Sequence, residues 1–144
     1  MGMIAAADFE GMGPEEQALF IIDHYADIFL DNYGLGLSRR RILSIMYDAR
    51  KRLMRQWRFP ELLKVLTFLQ ETFHQDLEVE IGIFNFLRPL PREEAEDLAA
   101  LKAEQHFELG NYRLALVYFQ LLEDESGEGS MSERVQQCLE RLED

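Results

Sequence analysis

Apolar residues recur at helical spacing along almost the whole chain, and this periodicity limits the possible folds more than any other feature. In residues 14–33, for example, Ala18, Ile22, Tyr25 and Phe29 follow one another at intervals of three or four positions. That spacing places them on one face of a helix. It predicts a first helix that begins at the proline of this segment and ends at the two glycines that follow it.

Prolines, glycines and capping residues divide the rest of the chain into further helices. Ser38 has the side chain of an N-cap for a second helix, Pro60 begins a third, and Gly110 separates two more. Residues 130–133 have the spacing of a capping box, which predicts a last helix near the end of the sequence. Residues 1–13 are small and glycine-rich, so we expect them to be flexible.

Residues 77–87 are ambiguous. Leu77, Val79 and Ile81 alternate as in a strand, but no second strand is evident, and a lone strand cannot satisfy its backbone hydrogen bonds. A short helix is therefore expected here. The complete pattern predicts an all-α fold of six to seven helices, which pack as antiparallel helical hairpins in a single domain over residues 14–144.

The composition limits the classes of function. A net charge of −12 argues against non-specific binding of nucleic acid or anionic lipid by the whole molecule. Cys138 is the single cysteine, so we expect no internal disulfide framework, and a reducing compartment is favoured. The start of the chain does not have the pattern of a secretory signal, and no apolar run is long enough to span a membrane. We therefore predict a soluble, cytoplasmic protein.

Positive charge is concentrated in residues 38–59. This segment holds eight of the 15 basic residues and only one acidic residue, so it carries +7 while the rest of the chain carries −19. A helical wheel separates its side chains into two faces. The apolar face comprises Ile42, Ile45, Met46, Ala49, Leu53 and Trp57. The opposite face, called the basic face below, comprises Arg40, Arg41, Lys51, Arg52, Arg55 and Arg58.

Four interpretations of the basic face stay open. Acidic residues of a later helix, Glu93, Glu94, Glu96 and Asp97, would neutralise it through exposed pairs that contribute only about 0–1 kcal/mol each. Alternatively, it docks an acidic segment of a partner. The third interpretation is a helix-turn-helix contact with nucleic acid, which the acidity of the remaining chain argues against. The fourth is a contact with a membrane surface, which is disfavoured because the core needs the apolar face of the helix. The residues predicted to bind a partner here are Arg40, Arg41, Lys51, Arg55 and Arg58.

The C-terminal half contains one specific spacing, in which Ala103 is followed by Gly110, Tyr112, Ala115 and Phe119. Gly110 allows a turn, Tyr112 fills the gap between two helices, and Ala115 permits their close approach. This pattern resembles the tetratricopeptide repeat, over residues 92–124.

A fainter copy of the pattern covers residues 40–73, with Phe59, Leu62 and Leu66 in the corresponding roles. In size, acidity and layout the chain is similar to the translocator chaperones of type III secretion. These are small cytoplasmic proteins with an N-terminal dimerising helix before such repeats. The resemblance implies a right-handed array of hairpins with a concave groove for a protein client. The N-terminal helix would form a homodimer or pack on the second helix.

The resemblance also implies which side chains line the groove. Ala100, Glu104 and Phe107 would face it if the repeat over residues 92–124 is genuine. The alternative is that Phe107 packs in the core of the hairpin.

No arrangement of residues points to catalysis. His24, His74 and His106 lack the spacing of metal ligands, and Cys138 lies among apolar positions typical of a packing cysteine. We therefore predict no catalytic activity, no metal and no cofactor. The leading hypothesis is a protein-binding adaptor or chaperone, such as a secretion chaperone, that holds a client segment. The alternatives are a regulatory protein whose basic helix, residues 39–58, contacts nucleic acid or an acidic partner, and a structural subunit of a larger assembly.

Overall fold

The computed structural model describes residues 6–123 and 130–143, and every regular element in this part of the chain is an α-helix. The all-α prediction is confirmed. The described residues form nine helices, more than the six or seven expected, because the N-terminal region contains three helices in place of one. The helices are α1 (Ala6–Glu10), α2 (Pro14–Asp23), α3 (Tyr25–Phe29), α4 (Arg39–Arg55), α5 (Phe59–Phe73), α6 (Glu78–Leu87), α7 (Arg92–Glu108), α8 (Tyr112–Leu122) and α9 (Ser130–Glu143).

Residues 6–10, within the segment predicted to be flexible, form the helix α1, and flexibility of residues 1–13 stays a prediction. Phe9 is only 1% exposed, and its ring lies 6.1 Å from that of Phe20. The side chain of Gln17 donates a hydrogen bond of 2.8 Å to the carbonyl of Phe9. One buried aromatic ring and one buried hydrogen bond thus hold a segment of small residues in place. Residues 1–5 lie outside the described part of the chain.

The predicted first helix is interrupted at His24, whose backbone has φ −126° and ψ 27°. The ring of His24 lies 4.7 Å from that of Phe20, and its Nδ1 lies 3.3 Å from the hydroxyl of Tyr33. Neither proline nor glycine occurs at the break, so local sequence does not mark it. At the interruption, His24 contacts Tyr33, which lies in the segment between α3 and α4.

The chain divides into two compact units, Met1–Leu77 and Glu78–Asp144. In the first unit α4 packs against α2 and α5, and α5 also packs against α2. Helix α5 is apolar on most of its surface, as its sequence predicts. Its buried residues are Phe59, Leu62, Leu63, Val65, Leu66, Phe68, Leu69 and Phe73.

In the second unit α7 packs along α8, and α8 packs along α9. Residues 77–87 are helical from Glu78 to Leu87, so the expected short helix is confirmed. Gly110 lies between α7 and α8 with φ +81°, a left-handed conformation that favours glycine. The side chain of Ser130, the cap of the predicted capping box, lies outside the part of the chain whose side chains are described. One domain over residues 14–144 stays a prediction.

Candidate functional site

Helix α4 places the basic residues on one side and buries the other, as predicted. The Oγ of Ser38 accepts a hydrogen bond of 3.0 Å from the backbone N–H of Arg41, which confirms the N-cap. Trp57 is the exception on the apolar face, because it lies beyond the helix end with φ 56° and is half-buried. The buried residues of α4 are Ile42, Ile45, Met46, Ala49, Leu53 and Met54.

Carboxylates of the same unit neutralise part of the basic face. Arg41 Nη2 lies 2.9 Å from an oxygen of Glu10, so α1 supplies a partner for the first turn of α4. Arg52 Nε lies 3.8 Å from Glu15 of α2, and Gln56 donates a hydrogen bond of 3.2 Å to the other oxygen of that carboxylate. These partners belong to the helices that pack beside α4, which sequence reasoning did not single out.

Neutralisation of the basic face is incomplete. Arg58 lies 3.7 Å from Glu61 in an exposed pair at the start of α5. Arg40 and Lys51 are exposed, and neither side chain makes an ion pair or hydrogen bond within the described residues. Arg55 is half-buried. Of the predicted binding residues, Arg40 and Lys51 are therefore the two whose charge stays available to a partner.

Among the acidic residues predicted to neutralise the basic face, Glu96 pairs with Arg92 one turn earlier on α7, at 2.9 Å. This is an ordinary exposed pair within one helix, worth a fraction of a kcal/mol, about 0.3–0.5.

Arg39, the first residue of α4, is a further candidate that sequence reasoning counted but did not select. Its guanidinium carbon lies 4.5 Å from the ring centroid of Phe73, a buried residue at the end of α5. The side chain of Arg39 makes no ion pair or hydrogen bond within residues 6–123 and 130–143. One signal in the sequence could have identified it. Three consecutive arginines occupy the first turn of a helix, where the helix dipole disfavours positive charge.

Arg39 lines a cleft of about 290 Å³ formed by α3, α4, α5 and the segment before α4, and the other lining residues are apolar or aromatic. Aromatic rings form much of its wall. Tyr25 meets Phe68 edge-on at 5.1 Å, and Phe68 meets Phe73 edge-on at 5.6 Å, so the wall is held by mutual packing. The cleft is lined by Tyr25, Ile28, Phe29, Leu37, Arg39, Ile42 and Phe73.

The rim of the cleft exposes large apolar side chains. Phe29 is 73% exposed and Leu30 is 67% exposed, side by side at the end of α3. Single exposed apolar residues are common on protein surfaces, but two adjacent ones beside an apolar cleft are typical of an interaction site.

The loop after α3 is held by its own polar groups. The Asn32 side chain donates a hydrogen bond of 2.9 Å to Asp27, and the backbone N–H of Gly36 donates one of 3.0 Å to Asp31. Asp31 itself has φ 56°, a left-handed conformation that aspartate tolerates better than most residues. The fixed turn carries Leu37 to the wall of the cleft and the chain into α4.

The structure brings together the residues of the second unit that were predicted to define a repeat. Ala103 and Ala115 are fully buried, and Phe119 is buried with them. The ring of Phe107 meets Tyr112 at 5.4 Å and Phe119 at 6.2 Å, both edge-on. Small residues at the contact and aromatic rings at the turn thus join α7 to α8.

Two of the three residues predicted to line a groove contact α9. Arg134 Nη2 lies 3.3 Å from Glu104, and its guanidinium carbon lies 4.5 Å from the ring centroid of Phe107. Ala100 is exposed. These contacts support the alternative in which Phe107 packs within the hairpin. Partner binding by Ala100, Glu104 and Phe107 stays a prediction.

The remaining candidate groups do not assemble a reactive centre within the described residues. No group of three or more His, Cys, Asp and Glu side chains there is placed to hold a metal ion. Cys138 is buried, and burial raises the pKa of its thiol, while Arg134 lowers it and Glu104 raises it further. No helix in the described part of the chain is long and apolar enough to cross a membrane. A cytoplasmic location and the absence of catalysis stay predictions.

No protein-family model, curated protein or solved structure matches the sequence. The resemblance to tetratricopeptide repeats therefore stays a prediction.

Proposed function

We propose that the chain is a non-catalytic protein-binding adaptor or chaperone, and that it holds an apolar segment of a client in the cleft between α3, α4 and α5. The observation that carries this proposal is that Phe29 and Leu30, exposed by 73% and 67%, lie beside a cleft lined mainly by apolar and aromatic residues. Side chains of this kind bind by burying apolar area, about 25 cal/mol per Å² removed from water. A client anchor would bury the rim and the cleft together.

The tetratricopeptide-like arrangement is part of the same proposal. It is supported by the α7–α8 hairpin, with alanines at the helix contact and a left-handed glycine at the turn. Stacked hairpins of this type form extended binding surfaces in repeat proteins. A role as a secretion chaperone and a homodimer through the N-terminal helices are further possibilities within this proposal, and both rest on the resemblance alone.

Affinity capture from cells that naturally express the protein tests the proposal, with nuclease present and at low and moderate salt. The test variant carries Phe29→Ser and Leu30→Ser. The matched control is Leu109→Ser, which removes an equally exposed apolar side chain (74%) at the end of α7. We expect clients that the wild type and the control retain and the test variant loses. Such clients should be insoluble when expressed alone and soluble on co-expression. Identical capture by all three proteins would contradict the proposal.

A second candidate function is supported by the exposed charge of Arg40 and Lys51. In this alternative, the chain is a regulatory protein whose basic face binds an acidic protein segment or nucleic acid. Charge reversal at Arg40, Lys51 and Arg55 would then abolish binding while the cleft variant retains it. Binding to phosphate would also weaken steeply between low and moderate salt and disappear with nuclease.

A further inference from the structure

We infer that the cleft recognises a specific chemical pattern, a large apolar side chain placed close to a carboxylate in one segment of a partner protein. The apolar side chain would enter the cleft, and the carboxylate would bind the guanidinium of Arg39. This inference rests on the proposed function and names the class of segment that the cleft takes.

The first step of the argument is the state of Arg39. Its guanidinium carbon lies 4.5 Å from the centroid of the Phe73 ring, a cation–π contact that holds the head group at the wall of the cleft. This contact does not consume the five N–H donors of the guanidinium, which can bind an acceptor beside the ring. Within the described residues, no carboxylate or carbonyl accepts from them. An arginine held beside an aromatic ring with its N–H groups open can bind a planar carboxylate bidentately.

The second step is the charge around Arg39. Arg40 follows it, exposed and without an ion pair in the described residues, and both lie in the first turn of α4, where the helix dipole adds positive potential. Two carboxylates precede α4, Asp27 in α3 and Asp31 in the following loop, and each is held by a hydrogen bond from a neighbouring residue. Asp27 accepts from Asn32, and Asp31 accepts from the backbone of Gly36. The edge of the cleft is therefore complementary to a negative group.

The third step is the apolar capacity beside that charge. Arg39 lines the same cleft as Ile28, Ile42 and Phe73, all of which are buried. A cleft of about 290 Å³ is at the lower end of the range for binding pockets and suits one large side chain of a bound segment. Because the guanidinium and the apolar wall belong to one cleft, the carboxylate and the anchor must lie within a few residues of each other.

The apolar wall also distinguishes a protein segment from other anionic partners. Nucleic acid binds through many phosphates spread along a basic surface and gains little from a cleft of this kind. On the basic face, Arg41, Arg52 and Arg58 are already paired with carboxylates of the chain itself. One arginine beside the apolar residues of the cleft matches one carboxylate beside one apolar anchor.

Peptide selection on the full chain tests the inference. A phage library of random twelve-residue peptides is selected against the immobilised protein, and the consensus peptide is synthesised with a fluorophore for anisotropy titrations. We expect enriched peptides to contain a Leu, Ile, Met or aromatic residue with Asp or Glu within four positions. Changing that acid to its amide, or making Arg39→Gln, should weaken binding about tenfold to hundredfold, the worth of a charge-assisted hydrogen-bonded pair.

Two further variants sharpen the titrations. Lys64→Gln is the matched control, because Lys64 is an exposed cation on α5 outside the cleft, and it should leave affinity unchanged. Arg39→Lys keeps the charge but loses the planar fork, so it should recover only part of the affinity.

The possible failures separate the inference from the proposed function. Enriched peptides without an acidic residue, or peptides whose binding is unaffected by Arg39→Gln, would overturn the inference. If Phe29→Ser still weakens such peptides, the proposed function survives. If no peptide is enriched, or if Phe29→Ser has no effect on any peptide, both fail.

Discussion

At the scale of single residues, side-chain caps and unusual backbone angles occur at the helix ends. Ser38 caps α4 through its side-chain oxygen, while Asp31, Trp57 and His74 each have φ 56° just after a helical segment. A left-handed conformation is uncommon for residues other than glycine, particularly for bulky ones. Each of the three positions follows a helical segment, and two of them, Trp57 and His74, flank α5.

We predict that Ser38→Ala lowers the free energy of unfolding by about 0.5–2 kcal/mol, because it removes the acceptor for the backbone N–H of Arg41. The measurement is equilibrium denaturation by urea. Ser44→Ala is the matched control, since Ser44 is exposed in the middle of the same helix and alanine is the better helix former there. It should leave stability unchanged or slightly raised. Equal destabilisation by both changes would show that the cap contributes nothing specific.

At the scale of elements, two exposed glycines in the described part of the second unit have opposite roles. Gly110 lies in the turn between α7 and α8 with φ +81°, and Gly82 lies within α6. A Cβ at either position would meet no heavy atom within 4 Å. Steric contact therefore does not distinguish the two sites, and backbone conformation alone decides the effect of a side chain.

The same substitution should thus have opposite effects at the two positions. Gly110→Ala should lower the free energy of unfolding by about 1–2 kcal/mol, because alanine is strained in the left-handed region. Gly82→Ala should raise it by about 0.5–1 kcal/mol, because alanine favours the helix and restricts the unfolded chain. Thermal and urea denaturation of the two variants measure both signs. A change of the same sign at both glycines would contradict the assigned backbone conformations.

At the scale of the whole molecule, charge is divided unevenly. The unit that ends at Leu77 contains nine basic and eleven acidic residues, a net charge of −2, whereas the unit from Glu78 onwards contains six and sixteen, a net charge of −10. The cleft therefore belongs to the nearly neutral unit. An acidic client segment would meet less repulsion there than the net charge of the chain suggests.

Stability should fall at alkaline pH, because burial raises the pKa of two groups in the second unit. The ordinary values are 9.0 for the thiol of Cys138 and 10.0 for the hydroxyl of Tyr118, and both are raised in the folded chain. The folded state therefore keeps protons that the unfolded state releases. The stabilisation is complete below the ordinary values and decreases as the pH rises past them, by at most about 1.4 kcal/mol per pH unit for each group.

Urea denaturation between pH 7 and pH 11 measures this slope. Cys138→Ala and Tyr118→Phe should each make the alkaline loss of stability less steep, whatever their effect at neutral pH. Slopes equal to that of the wild type would show that the two groups ionise alike in the folded and unfolded chain.

Much of the helical organisation can be read from the sequence because its causes are local. Ser38, Pro60 and Gly110 mark helix boundaries within one or two residues of their positions in the structure, since capping and φ preferences act over a single turn. The burial of α5 follows from its continuous apolar surface. The segment at 77–87 is helical because, without a partner strand, a helix alone satisfies its backbone.

The break at His24 and the buried position of Phe9 were not predictable in this way. Both depend on contacts with residues beyond the same helical turn, such as Tyr33 for the histidine and Gln17 for the phenylalanine. Neither contact leaves a periodic or compositional signal in the sequence.

By itself, the sequence determined the all-α class, most helix boundaries and the concentration of positive charge on one amphipathic helix. Only the tertiary structure decided which of those charges are neutralised. Glu10 lies 31 positions from Arg41, and no helical period connects the two. The same holds for the cleft, where Phe73 at the end of one helix contacts Arg39 at the start of another. Local preferences act through backbone geometry over a few residues, whereas pairing and cavity formation depend on which helices come to lie side by side.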